Sequence, residues 1–333
     1  MKKAISVLLV VALCLFLCPL AGCRRTAEEG EKTRFLMDTQ VTIRLYDYPR
    51  GEAGEAIFAG AFSLIAEIEA ALSATLETSD VSRINRERAA DDLSEHTRAV
   101  LTLCRTVQIE TDGAFLATMG GLSALWKEAE RTDTLPDPAA LTAALAAARA
   151  GFTLTETGCS LTAEGALLDL GGVGKGYAMD CVVRYLADCD IGGAIVSFGS
   201  NVSVVGGKGN GKPFAVSLRD PKDPQGTVGV FKPFSGHLSV SGDYERYVTV
   251  GGARYHHILD PVTGYPTASG LSSAAVVADS AALADALSTA FLVMGREKTE
   301  AYLTDRATLG AVLIASDGTV TTAGARPLSF TAD

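Results

Sequence analysis

The chain has 333 residues, 47% of them hydrophobic, with 29 Lys and Arg against 39 Asp and Glu for a formal net charge of −10. That length suits one large or two small domains, and the acidity argues against nucleic acid as a partner, because phosphate backbones are bound by basic surfaces. Seven cysteines without a CxxC pair specify neither a zinc site nor a disulfide framework.

Residues 1–22 read as an export signal. Lys2 and Lys3 form a basic start, and Ala4 to Leu17 is an apolar run too short to span a bilayer comfortably. The run ends in Leu20-Ala21-Gly22-Cys23, which looks like a bacterial lipoprotein cleavage site with Cys23 as the lipid-carrying first residue. Such a chain is exported and anchored to the cell envelope, in the periplasm or on the outer face of the cytoplasmic membrane. Losing Lys2 and Lys3 takes the charge from −10 to −12, and Cys104, Cys159, Cys181 and Cys189 are left besides Cys23. Residues 23–33 are short, charged and poor in apolar side chains, as expected of a tether. Residues 34–333 form the predicted folded domain.

Phe35 to Tyr46 alternates as a strand, and Glu55 to Leu72 has helical periodicity. Ser79 to Asn85 is a polar turn with capping chemistry. Leu93 to Asp112 and Ala139 to Ala150 read as helices, the second entered through Pro136-Asp137-Pro138. After residue 190 the chain becomes β-rich. Ala194 to Val205, Phe214 to Arg219, His237 to Ser241 and Tyr244 to Val250 are predicted strands joined by Gly/Asn/Asp/Pro turns. A strand from Leu271 to Ala278 precedes an Ala-rich helix, Ala281 to Met294, stopped at Gly295. A final helix and hairpin, over Leu309 to Ile314 and Thr319 to Thr322, close the chain. Helices and strands mix without a βαβ rhythm, so the expected class is α+β.

Three stretches carry chemistry. In the first, a strand-like run from Ala166 to Leu170 passes through Gly171-Gly172-Val173-Gly174 into a helix marked by Tyr177, Cys181, Val182, Tyr185 and Leu186. A glycine turn at a helix start is a natural anion corner, with Asp169 and Lys175 at its ends. It matches neither the P-loop nor the dinucleotide spacing, so a ligand-free turn is an equal reading. In the second, Asp285, Ser288 and Thr289 stand at i, i+3 and i+4, on one helix face. They could offer oxygens to a hard cation such as Mg²⁺, although an Asp in an Ala-rich helix is more often solvated. In the third, Tyr255-His256-His257-Ile258-Leu259-Asp260-Pro261-Val262-Thr263-Gly264 joins a structural turn to a His pair. Adjacent strand residues face opposite sides, so at most one His is expected in a given site. No Ser/His/Asp triad or nucleophile elbow is readable.

Taken in order, Leu168 to Asp180, Ser241 to Glu245, His257 to Gly264 and Ala284 to Ala290 resemble the ApbE family of FAD:protein FMN transferases. Met37-Asp38-Thr39, Ser79 to Asn85 and Asp112-Gly113-Ala114-Phe115 fall where that family has further motifs. The resemblance runs from about Phe35 to the C-terminus. It implies a T-fold-like α+β architecture of mainly antiparallel sheets packed with helices, and a site binding FAD with Mg²⁺. The implied reaction moves FMN from FAD to a Thr or Ser hydroxyl of an acceptor flavoprotein, a subunit of a membrane redox complex, and releases AMP. By motif position, Met37, Ala114, Phe115, Leu116, Asp169, Lys175, His257 and Ile258 would contact FAD. The Gly172 carbonyl with Asp285, Ser288 and Thr289 would hold the metal, and His257 is the candidate base. The sequence departs from the family where Leu116 replaces an Asp, Thr75 an aromatic residue and Asp38 a Gly. Two other functions remain in view: a Mg²⁺-dependent FAD pyrophosphatase giving FMN and AMP, and a flavin- or solute-binding lipoprotein without chemistry. Asp112 to Thr118 also faintly resembles an acceptor motif, which would make Thr118 a self-modification site, but Phe115 and Leu116 break the pattern.

Overall fold

The chain enters the fold as a hairpin, β1 (Glu29–Leu36) and β2 (Thr39–Tyr46), paired from Glu29↔Tyr46 to Leu36↔Thr39. Met37 and Asp38 make the turn, both at positive φ. This corrects two expectations: residues 29–33 belong to a strand and not to the tether, and Phe35 to Tyr46 is the end of β1, a turn and β2, and not one strand. β1 lies at the sheet edge, where its charged side chains stay solvated, so it lacks the apolar alternation that would announce it. The computed structural model describes residues 29–333; the signal, Cys23 and the start of the tether lie outside the described residues. Among the described residues no helix is long and apolar enough to cross a membrane.

A helical stretch follows: α1 (Glu52–Leu72), α2 (Asp80–Glu87), α3 (Glu95–Glu110), α4 (Gly120–Thr132) and α5 (Pro138–Ala150). The Ser79 turn is the N-cap of α2, its hydroxyl accepting from Ser82 N at 3.0 Å. α4 was not read from the sequence. It opens at Met119 without a side-chain cap, on Gly120-Gly121, so both usual start signals are missing. β3 (Ala89–Ala90), β4 (Phe152–Leu154) and β5 (Cys159–Leu161) form a small sheet beside these helices. The expected strand over Ala166 to Leu170 is an extended segment with a single parallel bridge, Met119↔Leu167, and is held further by the Asn85 side chain on Leu168 N and O. It leads into α6 (Gly174–Ala187).

The second half builds β6 (Gly193–Phe198), β7 (Asn201–Gly206), β8 (Val216–Arg219), β9 (Thr227–Phe231), β10 (His237–Gly242), β11 (Tyr247–Val250), β12 (Ala253–His256) and β13 (Leu271–Ala278). Next come α7 (Ala281–Leu303), β14 (Gly310–Ala315), β15 (Val320–Ala323) and β16 (Phe330–Ala332). Gly295, at φ 76°, breaks α7 into two helices, as the expected stop there requires. Leu309 to Ile314, expected as a closing helix, falls largely on strand β14 instead, paired with β13 and β15; its uninterrupted apolar run suits a strand covered on both faces.

Eight strands form one antiparallel sheet in the order β1-β2-β6-β7-β10-β13-β14-β15. Its strand β13 is buried throughout. Ala274, Val276 and Ala278 face the helices, and Ala275 and Val277 face the three-stranded sheet β16-β9-β8. A third apolar cluster, with Leu122, Trp126, Leu141, Val250 and Leu259, joins α4 and α5 to the separate hairpin β11–β12. The fold is α+β, several antiparallel sheets packed against helices in a T-fold-like arrangement.

Candidate active site

The site grows from the contact between α6 and α7. At Gly176 any side chain would place its Cβ 2.3 Å from the Ala281 carbonyl oxygen and 2.7 Å from Asp285 Cβ, so only glycine lets the helices meet this closely. One turn on, Asp180 accepts hydrogen bonds from Ala281 N (2.7 Å), Ala282 N (3.0 Å) and Ser280 Oγ (2.8 Å), capping α7 from its neighbour. These two devices fix how the helices sit together, and thereby place Asp285.

Asp285 is 4% exposed. Its Oδ2 accepts from Gly176 N at 3.0 Å, while Oδ1 accepts from Asn201 Nδ2 at 2.9 Å. Lys175 Nζ stands 3.9 Å from Oδ2 and donates to the Gly171 carbonyl at 2.6 Å. The α6 N-terminus was expected to offer its N–H groups to an outside anion. The Gly176 amide instead serves a carboxylate of the same chain, because Gly176 lets α7 come near enough to supply one. Asp169 folds the loop locally, its Oδ1 accepting from Gly171 N at 2.9 Å. Gly172 is hemmed in: an added Cβ would lie 3.2 Å from Phe115 and 3.4 Å from Thr289 Oγ1.

A cavity of about 450 Å³ opens over these groups, within the range usual for small-molecule sites. On one side lie Lys175, Asp285, Thr289 and the β6–β7 turn; on the other lie α4 and the β11–β12 hairpin. Trp126 anchors that second side. It packs on Tyr255 and Tyr265 at ring-centroid distances of 4.9 and 5.4 Å, and its indole N–H donates to Gly264 O at 2.9 Å. Glu245 also borders the cavity, where enclosure raises its carboxyl above the usual range against the pull of the Ser200 hydroxyl and Lys175.

Both histidines of the pair border the cavity, although at most one was expected to. The strand ends at His256, so strict alternation does not extend to His257. His257 Nδ1 lies 3.0 Å from the Arg246 carbonyl oxygen. A carbonyl only accepts, so Nδ1 carries the proton and Nε2 keeps its lone pair. The ring has open surface toward the cavity yet is walled in by protein at longer range. That desolvation is the largest influence on its pKa, and with the charges of Arg246 and Lys175 it pushes the pKa down to about 4 despite the bond to Arg246. His257 is therefore neutral at pH 7. In His256 the roles reverse: Nε2 faces the Thr267 carbonyl at 3.0 Å, and Nδ1 is buried without a hydrogen-bond partner.

The ApbE family model matches residues 37–313. A FAD:protein FMN transferase of Klebsiella pneumoniae (strain 342) is 31% identical over 301 residues, 89% of this chain and 92% of that protein. The FAD:protein FMN transferase of Treponema pallidum (strain Nichols) is 29% identical over 328 residues, 92% and 90% of the two chains. The chain belongs to the ApbE family. Among solved structures, the flavin transferase ApbE from Vibrio cholerae matches with a TM-score of 0.80 at 26% identity, covering 90% of this chain and 98% of that one. The ApbE protein from Thermotoga maritima matches at 0.79 and 29% identity, with 89% and 97% covered.

Within this ApbE fold, Ala114, Phe115, Leu116, Asp169, Gly172, Lys175, His257, Ile258, Asp285 and Thr289 all line the one cavity. Two expected site residues stand back from it. Met37 packs toward Gly174, its Cε 3.6 Å from where a Cβ there would be, and Thr39 lines the cavity from that turn. Ser288 is fully buried behind Asp285, its Oγ 2.8 Å from Ser241 Oγ. Thr118 is 1% exposed and donates to Ala148 O at 2.6 Å, so its hydroxyl is unavailable as an acceptor of flavin. Trp126, Tyr255 and Asn201 were missed. An aromatic residue one helical turn from Leu122 reads as core, and no local pattern marks Asn201 as a partner of Asp285.

Proposed function

We propose that the chain transfers FMN from FAD to a Thr or Ser hydroxyl of an acceptor flavoprotein, releasing AMP. The observation that carries this reading is the convergence of Lys175, Asp285, Thr289 and neutral His257 on one cavity; the names of the relatives agree with it. The acceptor oxygen bonds to the FMN phosphorus while the bond from that phosphorus to the bridging oxygen breaks. The bridging oxygen leaves with AMP. His257 Nε2 takes the hydroxyl proton, Nδ1 being held by Arg246. The Lys175 ammonium offsets phosphate charge, and the Trp126 side offers aromatic surface to a flat ring.

Mg²⁺ fits the donors present. Among the described residues no group of three or more His, Cys, Asp or Glu could hold a metal, so a cation here would rest on one carboxylate, neutral oxygens and the substrate's own phosphates, as Mg²⁺ commonly does. Asp285, Thr289 and the Gly172 carbonyl would hold it, with Ser288 supporting from behind. When bound it would offset charge on the pyrophosphate. Export and a lipid on Cys23 belong to the same proposal, with the acceptor a subunit of a membrane redox complex facing the same compartment.

The test incubates the mature protein with FAD, Mg²⁺ and a protein bearing an acceptor motif. Covalent flavin on that protein together with AMP supports transfer. AMP without labelled protein replaces the proposal with FAD hydrolysis, and neither product leaves a flavin binder.

A further inference from the structure

Asn201 and Ser239 lie on the helix-facing side of the large sheet, the side on which β7 and β10 also carry Ser203, His237 and Ser241. Both point from the large sheet toward α7, and they are 2% and 1% exposed. Burying an amide and a hydroxyl there is costly unless each bond is made. Apart from a 3.4 Å contact between Ser239 Oγ and Ser288 Oγ, their bonds lead to Asp285. Asn201 Nδ2 donates to Asp285 Oδ1 at 2.9 Å, and Ser239 Oγ donates to Asn201 Oδ1 at 2.7 Å. The same hydroxyl lies 3.1 Å from Asp285 Oδ1. Having one proton, it gives that proton to the nearer amide oxygen, which fixes the amide so that its NH₂ faces the carboxylate. Asn201 is itself held by the tight β6–β7 turn, paired with Phe198 across Gly199-Ser200. With Gly176 N on Oδ2, the carboxylate is clamped at both oxygens.

We infer that Asn201 and Ser239 are positioning residues that hold the Asp285 carboxylate in the orientation from which it holds a divalent cation and the FAD pyrophosphate. The inference rests on the proposed metal-dependent reaction. Two features favour positioning over mere stability. The pair converges on a carboxylate that lines the cavity, and the amide spends its donor on that charge and not on the backbone of its own sheet. Outer partners of this kind typically change metal affinity or activity by about 10–100-fold when removed.

The experiment titrates FAD-loaded mature protein with Mn²⁺, following free Mn²⁺ by electron paramagnetic resonance, alongside thermal unfolding. Asn201→Leu should weaken Mn²⁺ binding by about 10–100-fold, and saturating Mg²⁺ should recover most of kcat. Ser239→Ala, the milder variant, should weaken it less by freeing the amide to turn. The double variant should lose no more than Asn201→Leu alone, because Ser239 acts through Asn201. Parent-like Mn²⁺ affinity in folded Asn201→Leu overturns the inference, and so does a fall in unfolding temperature with affinity unchanged. Should Asn201→Leu fail to fold, parent-like affinity in Ser239→Ala overturns it. If the parent itself binds no Mn²⁺ in the presence of FAD, the proposed metal-dependent function fails instead, which separates the two outcomes.

Discussion

The two walls of the cavity are held in opposite ways. On the α6–α7 wall every named polar group is tied down: Asp285 by Gly176 and Asn201, Lys175 by Gly171 O, Asp180 by three donors at the head of α7. The opposite wall hangs on the third apolar cluster and a two-stranded hairpin. It leaves Tyr247 45% and Tyr265 37% exposed, with Arg254 stacked 3.6 Å over Tyr247. Charge stabilisation at a phosphate gains from groups that need not reorganise, whereas a protein acceptor needs a surface that can receive it. The fixed wall suits the pyrophosphate and the looser wall suits the incoming hydroxyl. Substitutions on the first should therefore destroy turnover outright, and those on the second should grade it.

The largest effect is expected from Asp285→Ala. It removes the proposed cation's carboxylate and leaves the Gly176 amide and Asn201 NH₂ buried without acceptors. AMP release should fall by about 10³-fold or more, and stability by about 1–3 kcal/mol for each orphaned donor, read by denaturant unfolding. Activity near that of the parent would remove Asp285 from the site and dissolve the contrast between the walls.

Much of the fixed wall was legible beforehand and much of the looser one was not. The i, i+3, i+4 spacing of Asp285, Ser288 and Thr289 is local, and so is the glycine turn before Lys175. The reason Asp285 is buried instead of solvated is not local: its partners Asn201 and Ser239 lie 84 and 46 residues away, on strands whose register only the sheet sets. The same distance hid the role of Asp180, which caps a helix 101 residues further on. On the looser wall, α4 lacks start signals, and Trp126 enters the site because Tyr255 and Tyr265 come to it from the far half of the chain. Edge strand β1 hid behind its own charges.

A smaller effect, and one with a pH signature, is expected from His257→Gln. In the parent, kcat/KM should stay level from pH 8 to about 5 and fall only as His257 gains a proton near 4; the variant should be roughly 10²-fold slower and lack that limb. Stability gives the sign independently. The folded pKa lies below the unfolded value of about 6.5, so between the two the unfolded chain binds the extra proton. The contribution is complete above about 6.5 and is lost as pH falls toward 4. Unfolding midpoints should therefore drop less for His257→Gln than for the parent on going from pH 7 to 4.5. An equal drop would mean that His257 titrates freely and that this wall does not enclose it.

The smallest effect belongs to Thr118→Val, which tests whether the looser wall contributes chemistry or only support. Thr118 ties the Ala114-Phe115-Leu116 segment to the end of α5 through Ala148 O. The swap keeps shape and removes one buried donor, leaving that carbonyl without this partner. A loss of about 1 kcal/mol and a shift of about 2–4 °C in unfolding temperature should follow, with turnover within about twofold of the parent. Intact mass after incubation with FAD and Mg²⁺ should show no FMN increment on the parent at Thr118. A covalent increment that Thr118→Val abolishes would show that this buried hydroxyl reaches phosphorus. The segment would then have to swing into the cavity, and the wall taken here as support would be part of the reaction.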